Sequence, residues 1–278
     1  MKEKFLTGRV AMVTGGASGM GRAMALAFAE AGAHVGIGSL LQQSTSTKAD
    51  GELVNRPGQE ELDRTKGEIE ALGVTCVAVD LDVCDVDSVK NFHKVVVDTL
   101  GPVDILANAA GITAEHLTVD HPEALWLKVM DVNTNGTFRA TREVLPGMVE
   151  RGWGRIVNIA STAASVGAPM SPAYCASKAA VVGFTKAVAQ EGAPAMVTAN
   201  TISPGWVETT FGREWLTDIA EKQMHKKGDE FIDEQKAENP QKRLIQPKEI
   251  GAMAAHLCRD EAVGITGQDI TISAGSMW

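Results

Sequence analysis

The chain has 278 residues, 44% hydrophobic and 22% charged, enough to bury a sizeable core within one α/β unit. Its formal net charge of −9 comes without a basic stripe or aromatic-interleaved Lys/Arg cluster, which argues against a nucleic-acid partner. No run of roughly 18 apolar residues is present to cross a bilayer.

Residues 1–7 carry two lysines but no following apolar block with a small-residue cleavage site, so the chain is expected to remain in the cytoplasm. The four cysteines, Cys76, Cys84, Cys175 and Cys258, have no paired spacing, and the six histidines include no H-E-x-x-H. Neither a disulfide framework nor a metal site is expected.

In chain order, β-branched runs at residues 9–14, 34–37, 74–79, 103–107, 155–159, 197–202 and 269–272 read as strands. Helical patterns lie between them at 21–31, 60–72, 88–100 and 173–190. The strands are almost continuously apolar, as strands covered on both faces must be. Two segments break the rhythm. Residues 42–59 form a polar stretch rich in Ser, Thr, Gly and Lys that reads as a loop insertion. Residues 206–246 carry Trp206, Phe211, Trp215, Met224 and Phe231 among many charges and read as a helical flap with one apolar face. The whole of 1–278 is expected to be one domain.

The first strand runs into Thr14-Gly15-Gly16-Ala17-Ser18-Gly19-Met20-Gly21, which opens the first helix. Glycines let the backbone turn sharply and approach a pyrophosphate, while a helix N-terminus offers unpaired N–H groups. With the alternating elements, this predicts a Rossmann-type, doubly wound, parallel seven-stranded α/β sheet.

The spacing T-G-x-x-x-G-x-G resembles the short-chain dehydrogenase/reductase family, and further motifs follow in that family's order from Gly8 to Gly275. Asp82-Val83 follows the third strand. Asn108-Ala109-Ala110-Gly111 ends the fourth, with Ala109 where the family pattern has a second Asn. Asn133 begins Asn133-Thr134-Asn135-Gly136, Ser161 closes Asn158-Ile159-Ala160-Ser161, and Tyr174-Cys175-Ala176-Ser177-Lys178 supplies Y-x-x-x-K. Pro204-Gly205 follows the sixth strand, with Val207 and Thr209 beyond.

The resemblance implies hydride transfer between a nicotinamide cofactor and a secondary alcohol or ketone, with Asn133, Ser161, Tyr174 and Lys178 as the catalytic set. Tyr174 would exchange the proton with the substrate oxygen, which Ser161 would also bond. Lys178 lies one helical turn on; its ammonium is expected to lower the phenol pKa, and Lys178 would also reach the nicotinamide ribose. Asn133 would hold a water linking Lys178 to solvent. The cofactor would lie against Gly15, Ser18, Gly19, Met20, Gly21, Ser39, Asp82, Val83, Asn108, Ala109, Gly111, Tyr174, Lys178, Pro204, Gly205, Val207 and Thr209.

Ser39 stands where relatives that prefer NAD have an Asp, so the carboxylate that would repel a 2′-phosphate is missing. Ser18 and Leu40 occupy positions that are often basic in NADP-preferring relatives, and Lys48 or Arg56 in the insertion could supply charge instead. The balance favours NADP over NAD. Ala163, Ala164, Val166 and Pro169 suggest an apolar substrate wall. A 3-oxoacyl-carrier reductase falls within the same chemistry, with Arg139 and Arg142 placed for a docking patch. A catalytically idle NAD(P)-binding sensor is the other alternative, though it would need neither the tyrosine nor the serine. The resemblance also implies a homotetramer packed through long central helices around 125–150 and 173–190; as a separate hypothesis, the C-terminal Trp278 tucks into a neighbouring subunit.

Overall fold

The computed structural model describes residues 3–44 and 51–276. Lys48 and Trp278 therefore lie outside the described residues. Among the described residues nine strands form: β1 (Val10–Thr14), β2 (His34–Ser39), β3 (Glu52–Leu53), β4 (Cys76–Asp80), β5 (Ile105–Asn108), β6 (Thr113–Ala114), β7 (Gly154–Ile159), β8 (Val197–Pro204) and β9 (Asp269–Ile272). Seven of them make one parallel sheet in the order β4-β2-β1-β5-β7-β8-β9. β1, β5, β7 and β8 are buried along their whole length, and the edge strands β4 and β9 are not. That gradient follows from helices covering both faces.

On one face α1 (Gly19–Glu30), α2 (Gln59–Glu70) and α10 (Pro247–Leu257) enclose a core of Met24, Phe28, Val35, Ile37, Leu62, Ile69 and Ile250. On the other, α3 (Val86–Leu100), α5 (Gly136–Arg151) and α7 (Pro172–Gly192) pack over Met12, Leu106, Phe92, Val96, Val144 and Val188. The chain leaves β1 toward β2 and β4 on one side and later fills the other side from β5 outward. A crevice therefore opens beyond the C-terminal ends of β1 and β5, where ligands bind in sheets of this kind.

Two expectations need correction. The helix foreseen over 125–150 is divided: α4 (Glu123–Met130) ends in a π turn at Asp131–Asn135 before α5 begins. The polar insertion is also more than a loop. Its strand β3 pairs antiparallel with β6, Glu52 opposite Ala114 and Leu53 opposite Thr113, as a separate two-stranded sheet. The flap forms α8 (Thr210–Lys222) and α9 (Gly228–Glu238), and α6 (Ala163–Val166) is a single turn after β7.

Candidate active site

The glycine turn is fixed by close backbone packing. Gly15 has φ +67°, and a Cβ there would stand 2.8 Å from the Ala110 nitrogen in the loop after β5. Gly21 lies so near the turn that a Cβ would sit 2.1 Å from the Gly15 carbonyl oxygen. Gly19 differs: at φ +53° its missing Cβ would meet only the Thr209 side chain, 3.5 Å away. Here the bare backbone faces open space at the start of α1, the arrangement a pyrophosphate requires.

That space is a cleft of about 680 Å³, within the roughly 300–1,000 Å³ of small-molecule sites. Gly15, Ser18, Gly19, Met20, Gly21, Ser39, Asp82, Val83, Ala109, Gly111, Tyr174, Lys178 and Thr209 all line it. Its elongated wall, running from the glycine turn to Tyr174, fits a dinucleotide.

Other foreseen contacts lie elsewhere. Asn108 is outside the cleft wall and 4% exposed; its Nδ2 donates to Asn158 Oδ1 at 2.8 Å, tying β5 to β7. Pro204, Gly205 and Val207 are also outside that wall. Ser39 lines the cleft, but its hydroxyl oxygen accepts the Ala17 N–H at 3.0 Å and so braces the turn. Asn133 is held by its side chain: Oδ1 accepts from the Ile112 N–H, and Nδ2 donates to the Ile112 carbonyl and to Ser177 Oγ, each at 2.9 Å. The π turn presents this residue to the loop after β5, and such turns recur at functional sites.

Tyr174 and Lys178 share the inner face of α7, both buried. Ser161 sits beside the Tyr174 hydroxyl, and its Oγ accepts the Ala163 N–H at 3.1 Å. Lys178 Nζ donates to the Ile159 carbonyl at 2.8 Å and lies 5.7 Å from the centre of the Tyr174 ring. Burial pushes the phenol up to about 12, with the neighbouring Ser161 acting against it, and pushes the lysine down to about 8. This reverses the direction expected for the tyrosine: loss of water outweighs an ammonium that is turned toward a carbonyl.

One part of the wall escaped the sequence. Glu52, Val54, Asn55, Arg56 and Pro57 of the insertion line the cleft, and Asn55 Nδ2 donates to Ser18 Oγ at 2.9 Å. Glu52 is 2% exposed and accepts from Lys128 Nζ of α4 at 2.5 Å. The segment thus spans the cleft from the glycine turn to α4. Nothing in its polar composition announces this; only its length exceeds a simple connection. The foreseen flap adds Thr210 and Phe211 to the wall, and behind them Trp215 meets Tyr174, Trp206 and Phe211 with ring centres 5.0, 5.1 and 5.9 Å apart. Arg139, weighed as a docking charge against an ordinary surface one, bonds Asp131 at 2.7 Å and the Val83 carbonyl at 3.1 Å.

The short chain dehydrogenase family model matches residues 9–220. The chain is a short-chain dehydrogenase. As a member it is an NAD(P)-dependent oxidoreductase acting on CH–OH and C=O groups. This dehydrogenase is 34% identical to the 3-oxoacyl-(acyl-carrier-protein) reductase FabG of Vibrio cholerae over 274 residues, 97% of this chain and 98% of that one. It is 33% identical to an acetoacetyl-CoA reductase of Allochromatium vinosum, covering 96% and 98%. Among solved structures, a variant of actinorhodin polyketide ketoreductase with NADPH superposes with a TM-score of 0.87 at 35% identity, covering 97% of each chain. Among the described residues the short-chain dehydrogenase has no helix long and apolar enough to cross a membrane and no cluster of metal-ligating side chains.

Proposed function

We propose that this dehydrogenase reduces a ketone to a secondary alcohol, with Tyr174 as proton donor and NADP(H) as its preferred cofactor. The observation that carries the reading is Tyr174 beside Ser161 and Lys178, with the tyrosine and lysine in the wall of the cleft that also holds the glycine turn.

Bound there, the nicotinamide supplies the hydride. The protein's residues do the rest. The Ser161 and Tyr174 hydroxyls are neighbours, so a substrate oxygen seated between them receives two donors as negative charge grows. Tyr174 delivers its proton to that oxygen. Its high proton affinity suits a group that must stay protonated until the alkoxide forms. Lys178, one turn below, restores the balance of charge as the phenolate appears. Because the Asn133 side chain is spent on Ile112 and Ser177, a water relay from Lys178 uses the Asn133 main chain at the π turn.

Lys178 is charged below about pH 8 and neutral above it. The kcat/KM for ketone reduction is therefore expected to fall above about pH 8, since that parameter reports groups of the free enzyme. A profile flat to pH 10 would remove the lysine from this role.

The preference for NADP(H) rests on the missing carboxylate at Ser39 and on Arg56, which lines the same cleft beside Asn55. Titration by cofactor fluorescence is expected to show NADPH binding at least tenfold tighter than NADH, and Arg56→Ala to remove most of that difference. Equal affinities in the unaltered protein would reverse the preference. Free and carrier-linked 3-oxo substrates, assayed with the tighter cofactor, separate a carrier reductase from a reductase of free ketones. A homotetramer in the cytoplasm completes the reading. Phe138 of α5, 43% exposed, meets Phe184 of α7 at 6.1 Å and gives an apolar face for subunit contact.

A further inference from the structure

Glu115 immediately follows β6 and belongs to none of the motifs above. Its carboxylate is half-buried and reaches the flap at two points: Oε1 accepts the Trp215 indole N–H, and Oε2 accepts the Gln223 amide at 2.7 Å. Residues 215, 219 and 223 follow one face of α8. A single side chain therefore holds the middle and the end of that helix against the loop leaving the cleft.

Trp215 is 8% exposed and packs edge-on against Tyr174 at 5.0 Å and Trp206 at 5.1 Å, and tilted against Phe211. Edge-to-face contacts are directional, so a turned indole would leave the phenol without its neighbour. Burial also pushes the Glu115 carboxyl up, so the group sits there at a cost that an apolar residue would avoid. What the carboxylate provides instead is orientation. Its oxygens fix the indole N–H and hence the ring plane that Tyr174 meets.

We infer that Glu115 is a positioning residue for the reduction, acting through Trp215 to seat the Tyr174 ring and close the flap over the substrate. The inference rests on the assignment of Tyr174 as proton donor. It concerns an acid outside the Ser161, Tyr174 and Lys178 set, and it makes α8 part of the chemistry as well as a cover.

The test is a double-mutant cycle on the full chain with NADPH and a reducible ketone, beside Tyr174→Phe as a control. Glu115→Ala is expected to lower kcat/KM for the ketone at least tenfold while NADPH affinity stays within twofold. The primary isotope effect on kcat with 4-deuterated NADPH should rise, because proton and hydride transfer become slower than product release. Glu115→Gln, which keeps an oxygen acceptor for the indole, should recover activity to within threefold. Trp215→Phe should reproduce the loss, and adding Glu115→Ala to it should cost less than a further twofold, as expected for two residues acting as one unit.

Independent, multiplicative losses overturn the inference, as does an unchanged isotope effect in Glu115→Ala. Should that variant fail to fold, Trp215→Phe decides, and wild-type rates in it count against the proposal. An active Tyr174→Phe would sink the assignment and this inference together. An inactive Tyr174→Phe beside a fully active Glu115→Ala would sink the inference alone.

Discussion

Tyr174→Phe is expected to lower kcat for ketone reduction by about a thousandfold, within the roughly 10²–10⁴ that a positioned general acid contributes. The loss should fall on turnover. Phe keeps the ring that packs edge-on to Trp215, so the fold and the cleft wall are retained. Only the hydroxyl beside Ser161 disappears. Cofactor affinity should stay within a few-fold, measured by fluorescence titration beside steady-state rates. A variant turning over at near-normal speed would mean that another group delivers the proton. Ser161 is the nearest candidate, but its oxygen also receives the Ala163 N–H.

A comparably large effect is expected from Gly21→Ala, through binding instead of chemistry. The added methyl would stand 2.1 Å from the Gly15 carbonyl oxygen, a backbone atom that cannot swing aside as a side-chain tip could. Either the glycine turn opens or α1 shifts along the sheet. Both displace the N–H groups at the start of α1 from the cleft floor. We expect NADPH affinity to fall at least a hundredfold and unfolding free energy to drop by about 1–3 kcal/mol, the usual cost of overpacking. Cofactor titration and denaturant unfolding measure the two separately. Wild-type affinity in this variant would show that the turn has a second conformation able to hold the ligand.

Much of this was legible because the signals were local. Each of the seven principal strands is a short β-branched run, and the doubly wound order follows once such runs alternate with helical patterns. Gly15, Gly19 and Gly21 were readable since a turn of that tightness admits little else. Tyr174 and Lys178 were readable because four residues on a helix share a face.

What stayed hidden depends on distant partners. Asn108 matches a motif, yet its amide points along the sheet into Asn158, which no spacing within the motif reveals. Glu52 and Asn55 sit in a stretch of loop composition, and they become cleft wall only because β6 offers an edge and Ser18 a hydroxyl. Glu115 meets Trp215 a hundred residues away. The direction of the tyrosine's proton affinity was misjudged for the same reason. The helix places an ammonium one turn below the phenol, but how completely water is excluded is decided by the flap and by the strand ends around Ile159.

The π turn at Asp131–Asn135 works as a phase shifter. One surplus residue retards a helix by about 100°. Leu125 and Val129 upstream therefore face Ile112 and Ala173, while Ala140, Val144 and Met148 downstream face the sheet. Removing a single residue there would scarcely shorten the rod. It would spin the downstream half by more than a quarter revolution, drawing core side chains toward water and swinging Arg139 away from Asp131, so a one-residue deletion in this stretch should be far more damaging than most substitutions within it.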